Sequence, residues 1–206
     1  ESTQAERRLA TAFAGIDQQP LDQVARDPAA LDTGRRLFVA HCAMCHGSDA
    51  RGGKGFPNLA DDNWQWGGSP EQVLASVTDG RQAQMPALAN VVGSDDAIKA
   101  TAHYVQSLSD AGISQALSRP GKEHFQSICA ACHGVQGLGN STLGAPNLAD
   151  DYWLYGGNLE DITTAIRDGH AGQMPAHGEL LGPTRARLAA AYVYSLSRKP
   201  AAPGGH

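Results

Sequence analysis

Cys42-Ala-Met-Cys45-His46 recurs as Cys129-Ala-Ala-Cys132-His133, and each copy is followed by a Met-Pro pair, Met85-Pro86 and Met174-Pro175. CxxCH is the pattern that attaches a c-type haem. Two thiols one helical turn apart add to the two vinyl groups of one porphyrin, and the adjacent His reaches the iron from the same side. Met85 follows His46 by 39 positions and Met174 follows His133 by 41, so each copy carries a thioether to close the iron from the opposite side. His/Met ligation fills both axial positions and favours the reduced iron, which suits electron transfer better than bond chemistry. All four Cys of the chain lie in these two motifs, so none is left for a disulfide or a free nucleophile. A zinc site would need further Cys or His at short spacing around each pair, and a thioredoxin-like redox pair would need alternating strands and helices. Neither pattern is present.

The two motifs sit in a longer repeat. Gly34-Arg-Arg-Leu-Phe38 pairs with Gly121-Lys-Glu-His-Phe125 at an offset of 87. Pro57-Asn-Leu-Ala-Asp-Asp62 pairs with Pro146-Asn-Leu-Ala-Asp-Asp151, and Trp64-Gln-Trp-Gly-Gly68 with Trp153-Leu-Tyr-Gly-Gly157, both at 89. Gly80-Arg-Gln-Ala-Gln-Met-Pro86 pairs with Gly169-His-Ala-Gly-Gln-Met-Pro175, again at 89, and Tyr104-Val-Gln-Ser-Leu-Ser109 with Tyr192-Val-Tyr-Ser-Leu-Ser197 at 88. The sequence therefore predicts an all-α fold made by tandem duplication: two small cytochrome c domains, each of about three main helices wrapped on a covalent haem. Their bounds are 33–109 and 120–198, with a spacer or arm over 1–32, a linker over 110–119 and a disordered tail over 199–206. The helices are expected near Thr33 to Cys42, Pro70 to Asp79 and Asp95 to Ser107, and near Leu159 to Asp168 and Thr184 to Ser197. Ser69 and Asn158 are the expected N-caps, with Pro70 at the first helical position. No segment shows sustained strand alternation.

Length and composition agree with this division. The 206 residues suffice for two domains of about 100 residues each. Only 6% are aromatic and 24 are Gly, so a porphyrin has to supply much of the apolar core. A formal charge of −5 and the lack of any basic run exclude nucleic acid as a partner and favour a redox partner with a basic rim. The longest apolar run, Leu188 to Tyr194, is far short of the ~18 residues that span a bilayer. The chain begins at Glu1 with no signal peptide, as expected of a mature or truncated product. Covalent haem attachment in bacteria takes place outside the cytoplasmic membrane, which assigns both domains to the periplasm.

The expected roles follow from these patterns. Cys42, Cys45, Cys129 and Cys132 are the thioether anchors, His46 and His133 the proximal ligands, and Met85 and Met174 the distal ones. A ligating His donates its other ring N–H to an acceptor. The carbonyls of Pro57 and Pro146, or of the residues just before them, are one candidate for that acceptor, and simple turn residues are the other reading of these prolines. His170 and His177 flank Met174 and are alternative ligands there. His41, His103 and His124 read as surface or packing residues. Trp64, Trp66, Trp153, Tyr152 and Tyr155 are expected at a haem edge or between the domains. Gly34 and Gly121, with Phe38 and Phe125, are expected to let the first and last helices cross closely against Tyr104 and Tyr192.

The blocks Gly55-Phe-Pro-Asn-Leu-Ala-Asp-Asp-Asn-Trp-Gln-Trp-Gly-Gly68, Gly80-Arg-x-x-x-Met85-Pro and Tyr152-Trp-Leu-Tyr-Gly-Gly157 resemble the diheme subunit III of cbb3-type cytochrome c oxidases, in order and over about residues 30–198. The resemblance implies a subunit anchored in the bacterial inner membrane by hydrophobic helices that this chain lacks, with two c-type haems on the periplasmic side. It implies relay of single electrons from a donor cytochrome or a quinol-oxidising complex, through a monohaem subunit, to the catalytic subunit that reduces oxygen. On that match Cys42, Cys45, His46 and Met85 serve the first haem, and Cys129, Cys132, His133 and Met174 the second. The chain is then an electron carrier with no catalytic residue of its own. A free periplasmic diheme shuttle shares every motif. A diheme peroxidase or a haem gas sensor needs an open iron position, against which two Met-Pro loops argue.

Overall fold

The computed structural model describes residues 2–197. The expected tail, 199–206, lies outside the described residues. The chain is mostly helical. In order it forms α1 (Ser2–Ala12), α2 (Leu21–Val24), α3 (Pro28–His41), α4 (Ala43–His46), α5 (Pro70–Asp79), β1 (Arg81–Met85), α6 (Ala89–Val92), α7 (Asp95–Ser109), α8 (Gln115–His124), α9 (Ala130–His133), α10 (Leu159–Asp168), β2 (His170–Met174) and α11 (Gly178–Leu196). A single π-helical turn, Phe125–Cys129, joins α8 to α9.

Local sequence accounts for the helix bounds. Asp27 caps α3 through its carboxylate and Pro28 occupies the first helical position, so the helix starts earlier than the apolar pattern suggested. Ser69 and Gln72 form a reciprocal capping box at α5. Asn158 caps α10 on the amide of Asp161, and Ser94 caps α7 on Ala97. Two short hydrogen-bonded strands, β1 and β2, were not foreseen. Each is the five-residue run leading into a Met-Pro pair, too short and too mixed to read as alternation.

Two compact units make up the fold, and they do not follow the two repeats. Among the described residues the first unit holds 2–63, Gly67–Arg81 and 174–197; the second holds Trp64–Trp66 and Gln82–Gln173. The division at 33–109 and 120–198 therefore describes the sequence repeats and not the compact bodies.

In the first unit α11, the last helix of the second repeat, packs on α3 and α5. Gly34 makes the crossing possible, because a Cβ there would stand 2.8 Å from the Cβ of Tyr192 and press on the Leu188 carbonyl. Phe38 is fully enclosed and meets the Tyr192 ring at 5.5 Å. In the second unit α7, from the first repeat, packs on α8 and α10. Gly121 is the equivalent crossing point, where a Cβ would fall 2.6 Å from the Cα of Thr101. Phe125 is likewise enclosed and meets Tyr104 at 5.2 Å. Burying each of these Phe side chains contributes roughly 1.5–3 kcal/mol. The Gly-Phe-Tyr contacts are those expected, but the partner helix comes from the other repeat.

The segment before the first repeat is not a loose arm. Ile16, Leu21 and Val24 are buried, and α2 with the turn at Ile16–Gln18 packs against α11. The expected linker 110–119 is also partly structured, since α8 begins at Gln115 under a Ser114 cap.

Candidate haem sites

Each CxxCH closes on a short helix. Cys42 and Cys129 are the N-cap residues of α4 and α9, Cys45 and Cys132 lie three residues on inside them, and the His ends each helix against a glycine that breaks it. His46 and His133 are buried. His46 Nδ1–H donates to the Pro57 carbonyl at 3.1 Å, and His133 Nδ1–H to the Pro146 carbonyl at 3.0 Å. Of the two readings of these prolines, the acceptor is the one the structure bears out. The bond fixes the tautomer, leaving Nε2 as the lone-pair donor. The turns that supply these carbonyls are themselves pinned: the Gly52 amide donates to the His46 carbonyl at 2.8 Å and the Gly139 amide to the His133 carbonyl at 2.9 Å.

Burial lowers the affinity of both imidazoles for a proton. For His46 the Pro57 bond opposes that shift, and nearby His177 adds to it; for His133 the Pro146 bond opposes it. Each ring is thus held in the neutral form that binds a metal. Burial also pushes the Cys42 thiol up, with help from Cys45, and pushes Cys129 up to about 11, with help from Cys132.

The Met-Pro loops are placed by the middle helices. In the first unit the His177 amide, just after Met174-Pro175, donates to the Val77 carbonyl of α5 at 3.0 Å. In the second, the Leu88 amide, just after Met85-Pro86, donates to the Ile166 carbonyl of α10 at 2.9 Å. Gly80 and Gly169 end those helices at φ 71° and 73°, where side chains are strained. A Cβ on Gly80 would stand 2.7 Å from the Ala176 amide, and one on Gly169 would stand 2.8 Å from the Ala87 amide. So α5 backs the loop of Met174, and α10 backs the loop of Met85. Met85 also packs into the apolar cluster of Phe125, Cys129, Ile162 and Ile166, beside the second CxxCH. The Met that shares a unit with His46 is Met174, and the one that shares a unit with His133 is Met85. The pairing by sequence order, His46 with Met85 and His133 with Met174, is not the pairing of the compact units.

The remaining candidates fall as follows. His177 belongs to the first unit with Met174, its Nδ1–H donating to the Pro175 carbonyl at 2.8 Å. His170 lies in the second unit, stacked on Tyr155 at 4.0 Å and 8°. The Nε2 of His170 and the Nδ1 of His103 are buried without a hydrogen-bond partner among the described residues. His41 is exposed and His124 half-buried. Trp153 packs on the cluster around Phe125. Trp66 lies against Gly144, where a Cβ would overlap its six-membered ring, and the Gln65 side-chain amide donates to the Gly144 carbonyl. Sequence reasoning did not find that this first-repeat tryptophan serves the second unit.

The donor set fits a c-type haem. Each unit offers two thiols one turn apart, a buried neutral imidazole with Nε2 left over, and one thioether on a braced loop. Among the described residues no group of three or more His, Cys, Asp or Glu could hold a bare metal ion.

A family model described as cytochrome c oxidase, cbb3-type, subunit III, matches residues 29–105 and 116–193. The chain belongs to this family. Similar proteins include the cbb3-type cytochrome c oxidase subunit CcoP of Rubrivivax gelatinosus, 40% identical over 198 residues, which cover 96% of this chain and 65% of that protein. The FixP subunit of Azorhizobium caulinodans is 38% identical over 91% of this chain and 68% of its own length. The CcoP subunit of Cereibacter sphaeroides is 37% identical over 91% and 71%. The chain thus spans about two thirds of the length of these relatives. Membership of a cytochrome c family implies c-type haem, and the two matched segments agree with the two motifs. Among the described residues no helix is long and apolar enough to cross a membrane.

Proposed function

We propose that this subunit III chain is a diheme electron carrier that relays single electrons, on the periplasmic face of the inner membrane, from a donor cytochrome or a quinol-oxidising complex to the oxygen-reducing core of a cbb3-type oxidase. The observation that carries the reading is the pair of equivalent sites, each with a CxxCH imidazole fixed by a proline carbonyl and a Met-Pro loop braced on a helix. Cys42, Cys45, His46 and Met174 would hold one haem; Cys129, Cys132, His133 and Met85 would hold the other. When bound, a c-type haem supplies a one-electron iron couple. The chain holds that couple in place. The thioethers fix the porphyrin edge, the Pro57 and Pro146 carbonyls keep each imidazole from rotating, and Pro86 and Pro175 stiffen the loops that present sulfur. His46 and Met174, and His133 and Met85, would be the side chains offered to each iron, and because all four sit on braced segments little in the chain would rearrange on electron transfer. The chain is on this reading a carrier and not itself a catalyst.

Purification of the native protein from membranes tests the proposal. The expected preparation carries two covalent haems per chain and brings oxygen-reducing activity with it. A protein of this size, free in the periplasm and without that activity, overturns the oxidase reading in favour of a soluble shuttle.

A further inference from the structure

One brace of the second haem site comes from the first repeat. Trp64–Trp66 belongs to the second unit, while its chain neighbours Asn63 and Gly67 belong to the first. The side-chain amide of Gln65 donates to the Gly144 carbonyl. Trp66 lies over the same residue, and a Cβ on Gly144 would fall 2.5 Å from Trp66 Cη2, so only glycine leaves room for the ring. Gly144 is buried, with φ at 64°, and a buried backbone carbonyl requires a partner. It stands two residues before Pro146, whose carbonyl receives the His133 Nδ1–H at 3.0 Å. The segment between is stiff. Asn140 and Ala145 exchange amide-to-carbonyl bonds at 2.9 and 3.0 Å, and a Cβ on Gly139 would stand 2.7 Å from the Ala145 carbonyl oxygen. A turn of the Gly144 peptide is therefore carried on to Pro146. The equivalent pair in the second repeat, offset by 89, is Leu154-Tyr155. Leu154 has no donor to give, and Tyr155 is stacked on His170 at 4.0 Å. This brace was not duplicated with the rest of the repeat.

We propose that Gln65 and Trp66 are positioning residues for the second haem: they hold Gly144 so that the Pro146 carbonyl stays on His133, which keeps the reduction potential of that haem below the value its ligands alone would set. The inference rests on the electron-carrier reading above. An imidazole whose far N–H is firmly accepted is a more basic ligand, and a more basic ligand favours the oxidised iron. Without Gln65 the Gly144 carbonyl has to turn towards another donor. Pro146 turns with it, the bond to His133 weakens, and the potential rises. Gln65 thus acts through the backbone and not on the ligand itself. Two sites with one ligand set thereby reach separate potentials, which gives a relay a preferred direction.

Gln65→Leu tests this, because Leu stands at the equivalent position of the second repeat and keeps the bulk while removing the donor. Gln65→Met, unbranched and close to Gln in length, is made beside it. Both are measured in the full diheme protein. Redox titration followed through the haem absorption gives the two potentials, and a chain with Cys42→Ser and Cys45→Ser, which retains only the second motif, assigns them. Electron paramagnetic resonance of the oxidised protein reports the orientation of each imidazole. In both variants the reduced-to-oxidised ratio of the second haem at a fixed applied potential is expected to rise about three- to tenfold, tenfold being ~59 mV for one electron. Its resonance signal is expected to shift, with the first haem unchanged. Gly144→Ala drives Trp66 off its seat and should combine less than additively with Gln65→Leu; full additivity overturns the shared brace. A merely structural contact would lower the urea midpoint and leave the potential and the resonance signal as in the wild type, and that result overturns the proposal. A shift of equal size at both haems overturns it too. A wild-type protein with no covalent haem on Cys129 and Cys132 overturns the haem reading and the proposal together; two haems with an unshifted second potential in the variants overturn the positioning role alone.

Discussion

Replacing Gly34 by Ala tests whether α11 of the second repeat crosses α3 of the first. The added Cβ presses on the backbone carbonyl of Leu188 and stands 2.8 Å from the Cβ of Tyr192. Neither neighbour can swing away, since one is helix backbone and the other is fixed to it. Carbon atoms rest at about 3.5–4.0 Å, so the helices must part by about 1 Å. Overpacking of this kind costs about 1–3 kcal/mol, and a backbone clash belongs at the upper end. The better helix propensity of Ala returns up to ~1 kcal/mol. The net loss is about 1–2 kcal/mol, roughly a 5–30-fold fall in the folded ratio. Urea unfolding of the diheme protein, followed through the Met–iron absorption of each haem, is the assay. The haem ligated by Met174 is expected to lose its band at lower urea with the slope unchanged, while the haem ligated by Met85 barely moves. Gly34→Ala should be non-additive with Met174→Ala and additive with Met85→Ala. A Gly34→Ala protein as stable as the wild type, or one that loses the Met85 band first, refutes the reasoning.

Three further outcomes follow from the same packing. Leu21→Ala should destabilise the first unit by about 2–5 kcal/mol, because Leu21 is buried beneath α11 and not part of a loose arm; a thermal melt unchanged by the substitution contradicts that packing. Ser69→Ala removes the capping box of α5 and should cost about 1 kcal/mol, read as a lower urea midpoint for the same unit. Burial holds His46 and His133 below the usual imidazole range of about 6.5. In a haem-free chain their contribution is therefore complete above about pH 6.5 and lost as pH falls through the folded values, because the unfolded chain takes up protons that the folded chain refuses. Urea midpoints should fall between about pH 7.5 and pH 5.5, and a midpoint that rises over that interval contradicts the assignment.

The candidate haem residues stand out in the sequence because CxxCH and Met-Pro are local patterns, and each appears twice at matching offsets. Helix starts were legible at the caps Ser69 and Asn158, and misplaced at α3, where the Asp27 cap and Pro28 stand well ahead of the apolar pattern and extend the helix past it. The exchange of halves was not legible, and the reason is physical. Both repeats carry the same crossing glycine, the same Phe and the same Tyr, so a first helix can be satisfied by either last helix. Only the long-range placement of α5, α10 and the two Met-Pro loops decides between them. Trp66 packs on Gly144 of the other repeat, one of the two placements expected for it, but nothing around it in sequence names that partner.

The most direct measurement assigns each Met to its iron. A chain with Cys129→Ser and Cys132→Ser keeps only the haem of the first motif, and its Met–iron band is then recorded after Met174→Ala and after Met85→Ala. The exchanged arrangement predicts that Met174→Ala abolishes the band and that Met85→Ala leaves it. Loss of the band with Met85→Ala and its survival with Met174→Ala would contradict the arrangement and return each haem to its own repeat.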